Sequence, residues 1–235
     1  MKIEKYEITL KMAGSMLVGS GFGFGRVADK TPVRDVDGIA IIPGSTLKGR
    51  LRFHCKRICL SLGEHLGELL PQGETAVEKR VCQAQGEWDT PAALCKDSQN
   101  LCIICRIFGS PLFPSPYRFS DLQPEQRDSI LAQKSLPALS FTADSELMTR
   151  VRKNRYTQTA ENNALYCYEQ VKSKDIIYTG TINGPTLAPL ELKLIEAGLK
   201  VMTHLGGGRS KGLGRITMAS IAKHSASSEG GQNNG

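Results

Sequence analysis

The stretch from Ile41 to Ile58, IIPGSTLKGRLRFHCKRI, most constrains how this chain can fold. Pro43 and Gly44 interrupt an extended apolar run, and Ser45 is a favourable N-cap, so a helix is predicted to begin at Ser45. Apolar residues then recur at helical spacing and predict a buried face: Leu47, Leu51, Ile58 and Leu62. The chain therefore passes from a strand through a tight turn into an amphipathic helix.

The same helix carries a row of positive charge, the Lys48 stripe. Lys48, Arg52 and Lys56 repeat every four residues, and no acid lies between Gly44 and Gly63 to neutralise them. Because a helix N-terminus exposes backbone N–H groups and carries partial positive charge, this element suits a phosphate ligand. The alternative interpretation is a basic helix face that is simply solvated. Two further segments rich in glycine and basic residues occur downstream and make that alternative less favoured.

The overall charge agrees with an anionic partner. The 235 residues include 30 Lys and Arg against 23 Asp and Glu, a formal net charge of +7. This excess favours RNA, DNA or a membrane surface without choosing among them. No apolar run could span a bilayer and no secretory segment opens the sequence, so neither a membrane span nor secretion is expected. Seven cysteines without a signal peptide indicate a reducing cytoplasm, where clustered thiols more often bind metal than form disulfides.

The order of the elements predicts an α+β fold. Antiparallel strands covered on one face by two helices would give a sandwich of the ferredoxin-like or RNA-recognition-motif kind. We expect a single domain over residues 1–224 and a disordered polar tail over 225–235. The other predicted elements are strands at Ile3–Met12, Ile39–Ile42 and Asp175–Ile182, a helix at Leu187–Met202, and a last strand after the glycine-rich loop at Gly206–Arg215.

A cysteine cluster occupies an insertion at about residues 64–105. Its members are Cys82, Cys95, Cys102 and Cys105. The last two form C-x2-C, and four soft thiolates with no histidine between them favour structural Zn²⁺ over an open catalytic site. A segment this poor in apolar residues would gain its order from the metal. Ordinary buried thiols are the alternative, and His54 or His65 could replace one cysteine. Cys55 and Cys59 are interpreted as core residues.

Two downstream segments combine glycine or aromatic residues with cations. In GGGRSKGLGR, Gly206 to Arg215, the glycines let backbone amides approach a ligand, and Arg209 and Lys211 can pair with phosphates. A Walker loop is excluded because Gly212 is followed by leucine, and a plain hairpin turn is the alternative. The second segment has the combination of cations and aromatic rings that binds single-stranded nucleic acid. The alternative interpretation is an ordinary strand exposed to solvent. This segment contains Arg150, Arg152, Lys153 and Arg155, followed by Tyr156, Tyr166 and Tyr168.

The early glycine-rich segment, GSGFGFGRVADK, is not a dinucleotide fingerprint, because no helix opens directly on its glycines. A polar loop, ADKTPVRDVDG, follows instead and carries three acids: Asp29, Asp35 and Asp37. A loop carboxylate beside a bound strand could hold a divalent ion or position an attacking hydroxyl. The loop is therefore a candidate catalytic segment, with a simple turn as the alternative.

IIPGSTLKGRLR, CRIFGS and LGGGRSKGLGRI together resemble the RAMP superfamily and, more closely, the backbone subunits of type III CRISPR effector complexes. The resemblance runs from the first strand to about Ile221. It implies a modified RNA-recognition-motif fold with a thumb hairpin, here at about residues 149–171, that inserts between bases of the guide–target duplex. Zinc-binding insertions occur among relatives just before the CRIFGS-like segment. The residues implied to hold guide-RNA phosphates are Ser45, Lys48, Arg52, Gly207, Gly208, Arg209 and Lys211.

The resemblance also implies a catalytic acid. Members that cut target RNA use an aspartate before the PGS motif, in a context like D-S-P-V. Here ADKTPVRD matches at Asp29, with one residue more before Pro32, so Asp35 and Asp37 remain alternatives. The ion used for cleavage would be Mg²⁺ or Mn²⁺.

The resulting hypothesis is a cytoplasmic CRISPR RNA-binding backbone subunit that also cleaves complementary single-stranded target RNA. Its partners would be the CRISPR RNA, the target RNA, other effector subunits and copies or paralogues of itself. A non-catalytic scaffold subunit is the first alternative. A precursor CRISPR RNA endonuclease is the second, and it is disfavoured because it typically needs a histidine base with an acid/base partner. RNA binding is expected in one groove, with Lys48 and Arg209 on the same side.

Overall fold

The chain forms a mixed structure of helices and antiparallel sheet, as the α+β prediction requires. The computed structural model describes residues 3–21, 23, 28–62, 95, 101–133 and 144–223. Cys82, most of the cysteine insertion and the tail lie outside these residues. The elements are β1 (Ile3–Met12), α1 (Gly44–Leu62), α2 (Ile103–Phe108), β2 (Arg118–Phe119), β3 (Gln123–Pro124), α3 (Arg127–Gln133), β4 (Ser145–Lys153), β5 (Ala160–Val171), β6 (Ile177–Pro185), α4 (Pro189–Val201) and β7 (Ile216–Lys223).

The main sheet has β1 and β6 at its centre. Its strand order is β2-β6-β1-β7, with β3 also paired to β6, and every pairing is antiparallel. Side chains alternate between the two faces of a strand, so β1 buries every second residue. Tyr6, Ile8, Leu10 and Met12 enter the core as predicted, whereas Ile3 is 77% exposed.

Helices α1 and α4 pack against each other over the apolar face of this sheet. Leu51 and Cys55 of α1 meet Gly198 of α4 so closely that a Cβ at position 198 would lie 2.6 Å from the sulfur of Cys55. The Cys55 thiol donates to the carbonyl of Leu194 at 3.4 Å. Cys55 and Cys59 are both buried in the core cluster, which confirms their interpretation as packing residues.

The start of α1 differs from the prediction by one residue. The helix begins at Gly44, and the carbonyl of Pro43 accepts from the N–H groups of Thr46 and Leu47. Ser45 therefore lies exposed in the first turn and is not the N-cap. The first helical N–H, on Gly44, donates to the carboxylate of Asp121 at 2.8 Å. A distant acid thus caps this helix, which sequence spacing could not indicate.

The predicted strand at Ile39–Ile42 is buried but forms only isolated bridges. Ala40 pairs with Arg34 and Ile42 with Leu122. The strand predicted at Asp175–Ile182 and the helix predicted at Leu187–Met202 are close to β6 and α4, and β7 is the last strand expected after the glycine-rich loop. Within the described residues, no helix is both long and apolar enough to cross a membrane.

A separate hairpin, β4–β5, stands beside the main sheet. It begins at Ser145, four residues before the expected segment, and ends at Val171. Tyr168 and Met148 pack on Leu17 and Leu213, so one face of the hairpin rests on the body of the domain. Lys30 belongs to the ADKTPVRDVDG segment (residues 28–38, the acidic loop) and forms a parallel bridge with Tyr168. The acidic loop and the glycine-rich loop therefore both meet the hairpin at its root.

Candidate functional site

Asp29 lies against the edge of β5. Its N–H donates to the carbonyl of Cys167 at 2.8 Å, and its Oδ2 accepts from the N–H of Cys167 at 2.7 Å. The side chain is exposed, and within the described residues its carboxylate has no cation partner and its Oδ1 no hydrogen bond. One carboxylate oxygen is thus fixed by the hairpin backbone while the other faces solvent.

The other two acids of the loop have structural roles. The guanidinium of Arg127, at the start of α3, donates to both Asp35 and Asp37. Asp35 also accepts from the N–H groups of Asp37 at 3.0 Å and Ile39 at 2.8 Å. Burial raises the pKa of Asp35, but the N–H of Ile39 and the guanidinium of Arg127 outweigh it and leave that pKa below its usual value. These contacts leave Asp29 as the acid best suited to bind a ligand.

The glycine-rich loop reaches the hairpin through Lys211. Its ammonium donates to the hydroxyl of Tyr166 at 2.8 Å and lies 5.1 Å and 5.2 Å from the ring centres of Tyr166 and Tyr168. The two rings are stacked at 6.2 Å. A left-handed Gly208, with φ of 71°, starts the short turn that presents Arg209 and Lys211. The N–H of Gly207 donates to Leu17 at 2.8 Å, so that amide is already in use.

On its other side the loop approaches α1. Burial lowers the pKa of Arg50, and the charge of Arg209 lowers it further. Burial also lowers the pKa of His54, which is 7% exposed. Three guanidinium groups add to that effect: Arg50, Arg57 and Arg209. Within the described residues, none of these three arginines pairs with a carboxylate. Their positive charges therefore repel one another.

Within the described part of the chain, two buried donors in this cluster have no acceptor. Nη2 of Arg50 lies 3.3 Å from Nε2 of His54, and because a guanidinium only donates, the imidazole proton sits on Nδ1. That Nδ1 and Nε of Arg50 are buried without a hydrogen bond among the described residues. Arg50 and Arg57 lie over the ring of Phe53 at 5.3 Å and 5.6 Å. The uncompensated cations of this cluster favour an anionic ligand.

These residues form what we call the basic track: Arg57, Arg50, Arg209, Lys211 and Arg150. It runs from α1 across the glycine-rich loop to the hairpin, where Arg150 stands opposite Tyr166 in the strand pairing. Asp29 lies at the hairpin end of this track, since it is bonded to Cys167, the residue directly after Tyr166.

The Lys48 stripe lies on the other flank of α1. Lys48 and Arg50 are two positions apart and so point roughly 160° from each other around the helix axis. The ammonium of Lys48 lies 3.5 Å from the carbonyl of Tyr117 and 5.4 Å from the ring centre of Phe119. Burial and the charge of Arg52 lower its pKa, and Arg209 is not among the charges that act on it. The charge of Arg209 thus acts on Arg50 and His54 on one flank of the helix, and not on Lys48 on the other.

The arginines on the Arg209 side of α1 were missed in the sequence. Arg50, His54 and Arg57 recur at i, i+4 and i+7, which is as regular as the spacing of the Lys48 stripe. Both rows flank the apolar face, and only the position of the glycine-rich loop distinguishes them.

The remaining predicted cations lie toward the outer end of the hairpin. Arg152 pairs with Glu161 at 3.0 Å, and the arginine side chain is 75% exposed. Lys153 closes β4 and Arg155 follows in the turn, and both are exposed. They stand away from the glycine-rich loop.

Three of the four predicted metal ligands come together. The sulfurs of Cys95, Cys102 and Cys105 all lie within 4.8 Å of one another. Tetrahedral zinc with Zn–S bonds of about 2.3 Å needs sulfurs about 3.8 Å apart, so the spacing fits. The N–H of Cys102 points to the sulfur of Cys95 at 3.4 Å, and that of Cys105 to the sulfur of Cys102 at 3.5 Å. Such donors stabilise thiolates, so the cluster could bind a metal such as zinc.

Metal content tests this cluster directly. We expect the purified protein to contain about one equivalent of zinc, because one tetrahedral site needs one ion. Cys102→Ser should lose it, because C-x2-C supplies two adjacent ligands. Cys167→Ser is the matched control, since that thiol lies on the hairpin and should retain the metal. Elemental analysis makes the measurement, and folded protein free of metal would leave these thiols as packing residues.

Comparison with known proteins decides the family. A family model described as the RAMP superfamily matches residues 9–217, from within β1 into β7. The chain belongs to the RAMP superfamily. No curated protein matches it. Membership identifies this RAMP protein as a CRISPR-associated RNA-binding protein, and the basic track lies within the matched residues.

Proposed function

We propose that this RAMP protein is a backbone subunit of a type III CRISPR effector complex. It binds the CRISPR RNA and cleaves complementary target RNA through Asp29. The observation that carries this proposal is the position of Asp29 at the hairpin end of the basic track, with one carboxylate oxygen open. The strand order β2-β6-β1-β7 with two helices on one face supports the ferredoxin-like part of the hypothesis.

RNA binding rests mainly on the basic track. Arginine guanidinium groups bind phosphate through paired N–H groups, and an RNA backbone would neutralise the repulsion among Arg50, Arg57 and Arg209. The left-handed glycines of the loop allow the backbone to come close to that strand. The Lys48 stripe and Ser45 form a second contact surface on the other flank of α1. The outer cations of the hairpin contact RNA beyond it: Arg152, Lys153 and Arg155.

Cleavage is a transesterification within the target strand. The 2′-hydroxyl oxygen attacks the adjacent phosphorus and gives up its proton, and the bond from phosphorus to the 5′-oxygen breaks. The leaving oxygen takes a proton, so the products carry a 2′,3′-cyclic phosphate and a 5′-hydroxyl. Asp29 positions the attacking hydroxyl or accepts its proton through Oδ1. Mg²⁺ commonly binds through one carboxylate plus substrate phosphate, which fits Asp29 and would stabilise charge on the phosphate.

In this proposal the subunit works in the cytoplasm, beside other effector subunits and further copies or paralogues of itself. Base pairing with the guide selects the target, and the protein contacts the backbone of both strands.

The assembled complex provides the test. Labelled RNA complementary to the guide is incubated with Mg²⁺, with and without EDTA, and the products are separated on a denaturing gel. We expect cuts at a regular interval, because each copy of the subunit would cut once, and we expect EDTA to abolish them. Intact RNA in the presence of Mg²⁺ would instead indicate the non-catalytic scaffold. Cuts that persist in EDTA would contradict metal-dependent cleavage.

A further inference from the structure

Arg34 joins the acidic loop to the root of the hairpin. Its Nη2 donates to Oε1 of Glu169 on β5 at 2.6 Å, and its Nη1 approaches Asp144, just before β4, at 3.3 Å. The same Nη1 donates to the carbonyl of Gly38 at 2.8 Å. One guanidinium thus holds a turn of the loop and both strands of the hairpin.

The contacts of Arg34 lie on the same stretch of β5 that holds Asp29. The N–H of Asp29 bonds to the carbonyl of Cys167, and the N–H of Glu169 bonds to the carbonyl of Lys30 at 2.9 Å. Cys167 and Glu169 project from the same face of β5, because strand side chains alternate. The acidic loop therefore runs along β5 in a fixed register. Asp29 lies at one end of the segment that pairs with β5, and Arg34 follows beyond its other end.

The ion pair is well protected from water. The side chains of Arg34 and Glu169 are 19% and 5% exposed, and Ser145 also donates to Glu169 at 2.6 Å. An apolar pair could fill such a site with similar stability, whereas a guanidinium fork fixes direction as well as distance. The geometry is therefore suited to setting the register of the loop.

We propose that Arg34 is a positioning residue. It holds the acidic loop, and with it Asp29, in one register against the hairpin so that each subunit cuts a single phosphodiester bond. The proposal rests on the proposed cleavage by Asp29 but is separable from it. Among the described residues, Arg34 acts through Glu169, Asp144 and the loop backbone.

Single-turnover cleavage by the assembled complex provides the first test. We expect Arg34→Gln to lower the rate by about 100-fold, the scale expected for misplacing a catalytic group by about 1 Å. RNA affinity should stay within about twofold of the wild type, and cuts should spread to neighbouring bonds. Arg34→Lys should restore part of both. Arg34→Gln combined with Glu169→Gln should be no worse than either alone, because the pair acts as one unit.

Arg127→Gln is the matched control. It removes a second arginine that holds the acidic loop, at Asp35 and Asp37 and away from β5. It should leave the cut positions unchanged. Unchanged rate and cut positions in Arg34→Gln, or spreading equally in Arg127→Gln, would overturn the role of Arg34.

Amide hydrogen exchange on the full chain separates this proposal from cleavage itself. Arg34→Gln should increase exchange at the N–H groups of Asp29, Cys167 and Glu169, while those of β1 remain protected. If the wild type cuts no RNA but exchange rises in this way, cleavage fails and the positioning contact stands. If exchange at these three amides is unchanged, Arg34 does not set the register.

Discussion

Asp29→Asn is expected to lower the rate of target RNA cleavage by about 100-fold or more, the range typical for loss of a general acid or base. Asparagine keeps an oxygen that can accept from the N–H of Cys167, so the loop should hold its place. What is lost is the negative charge that binds a divalent ion or takes the proton of the 2′-hydroxyl. Guide binding should be unaffected, because Asp29 is not a cation of the basic track.

The control for Asp29→Asn is the same substitution at Asp37, whose side chain is 47% exposed and pairs with Arg127. Asp37→Asn should keep cleavage within a few-fold of the wild type. Single-turnover rates of the three complexes, measured at equal RNA occupancy, make the comparison. A wild-type rate for Asp29→Asn would exclude Asp29 as the catalytic acid, and an equal loss in Asp37→Asn would point to general damage of the loop.

Arg50→Ala combined with Arg57→Ala is expected to weaken guide-RNA binding by about 100-fold or more, given the usual strength of hydrogen bonds to charged groups. The slope of log affinity against log salt should become shallower by about 1.4, since two contacts to a single strand are lost. Both arginines belong to a cluster with no carboxylate partner among the described residues, so bound phosphate is their natural counter-charge.

Lys48→Ala combined with Arg52→Ala is the matched pair, because it removes two cations from the opposite flank of the same helix. We expect a smaller loss of affinity, since the ammonium of Lys48 already contacts the carbonyl of Tyr117 and the ring of Phe119. Filter binding over a range of salt concentrations measures both pairs. A greater loss from the Lys48 pair would make the Lys48 stripe the main RNA surface.

Elements fixed by local spacing could be predicted from the sequence. Alternation placed Ile8, Leu10 and Met12 in the core, and helical periodicity placed Leu47 and Leu51 in the same core. Ser45 was expected to be the cap of α1, but the cap is a contact with Asp121, far along the chain. Local patterns specify which face of an element is buried, but they carry no information about a partner brought in by folding.

The same limit explains the candidate site. ADKTPVRDVDG offered three acids, and the choice among them depends on Arg127, which lies some 90 residues further along and occupies Asp35 and Asp37. The Lys48 stripe and the row of Arg50 and Arg57 are equally regular in sequence. Only the approach of Arg209 to one flank of α1 distinguishes them. For the cysteines, local spacing was sufficient, and Cys95, Cys102 and Cys105 come together as expected.

The central claim is that RNA follows the basic track from α1 across the glycine-rich loop to the hairpin. The most direct measurement is a structure of the assembled complex with its guide RNA bound. Our account predicts guide phosphates within hydrogen-bond distance of Arg50, Arg209 and Lys211, and the scissile bond of a paired target beside Asp29. A guide that ran along Lys48 and Arg52 instead, leaving Arg50 and Arg209 without phosphate, would contradict it.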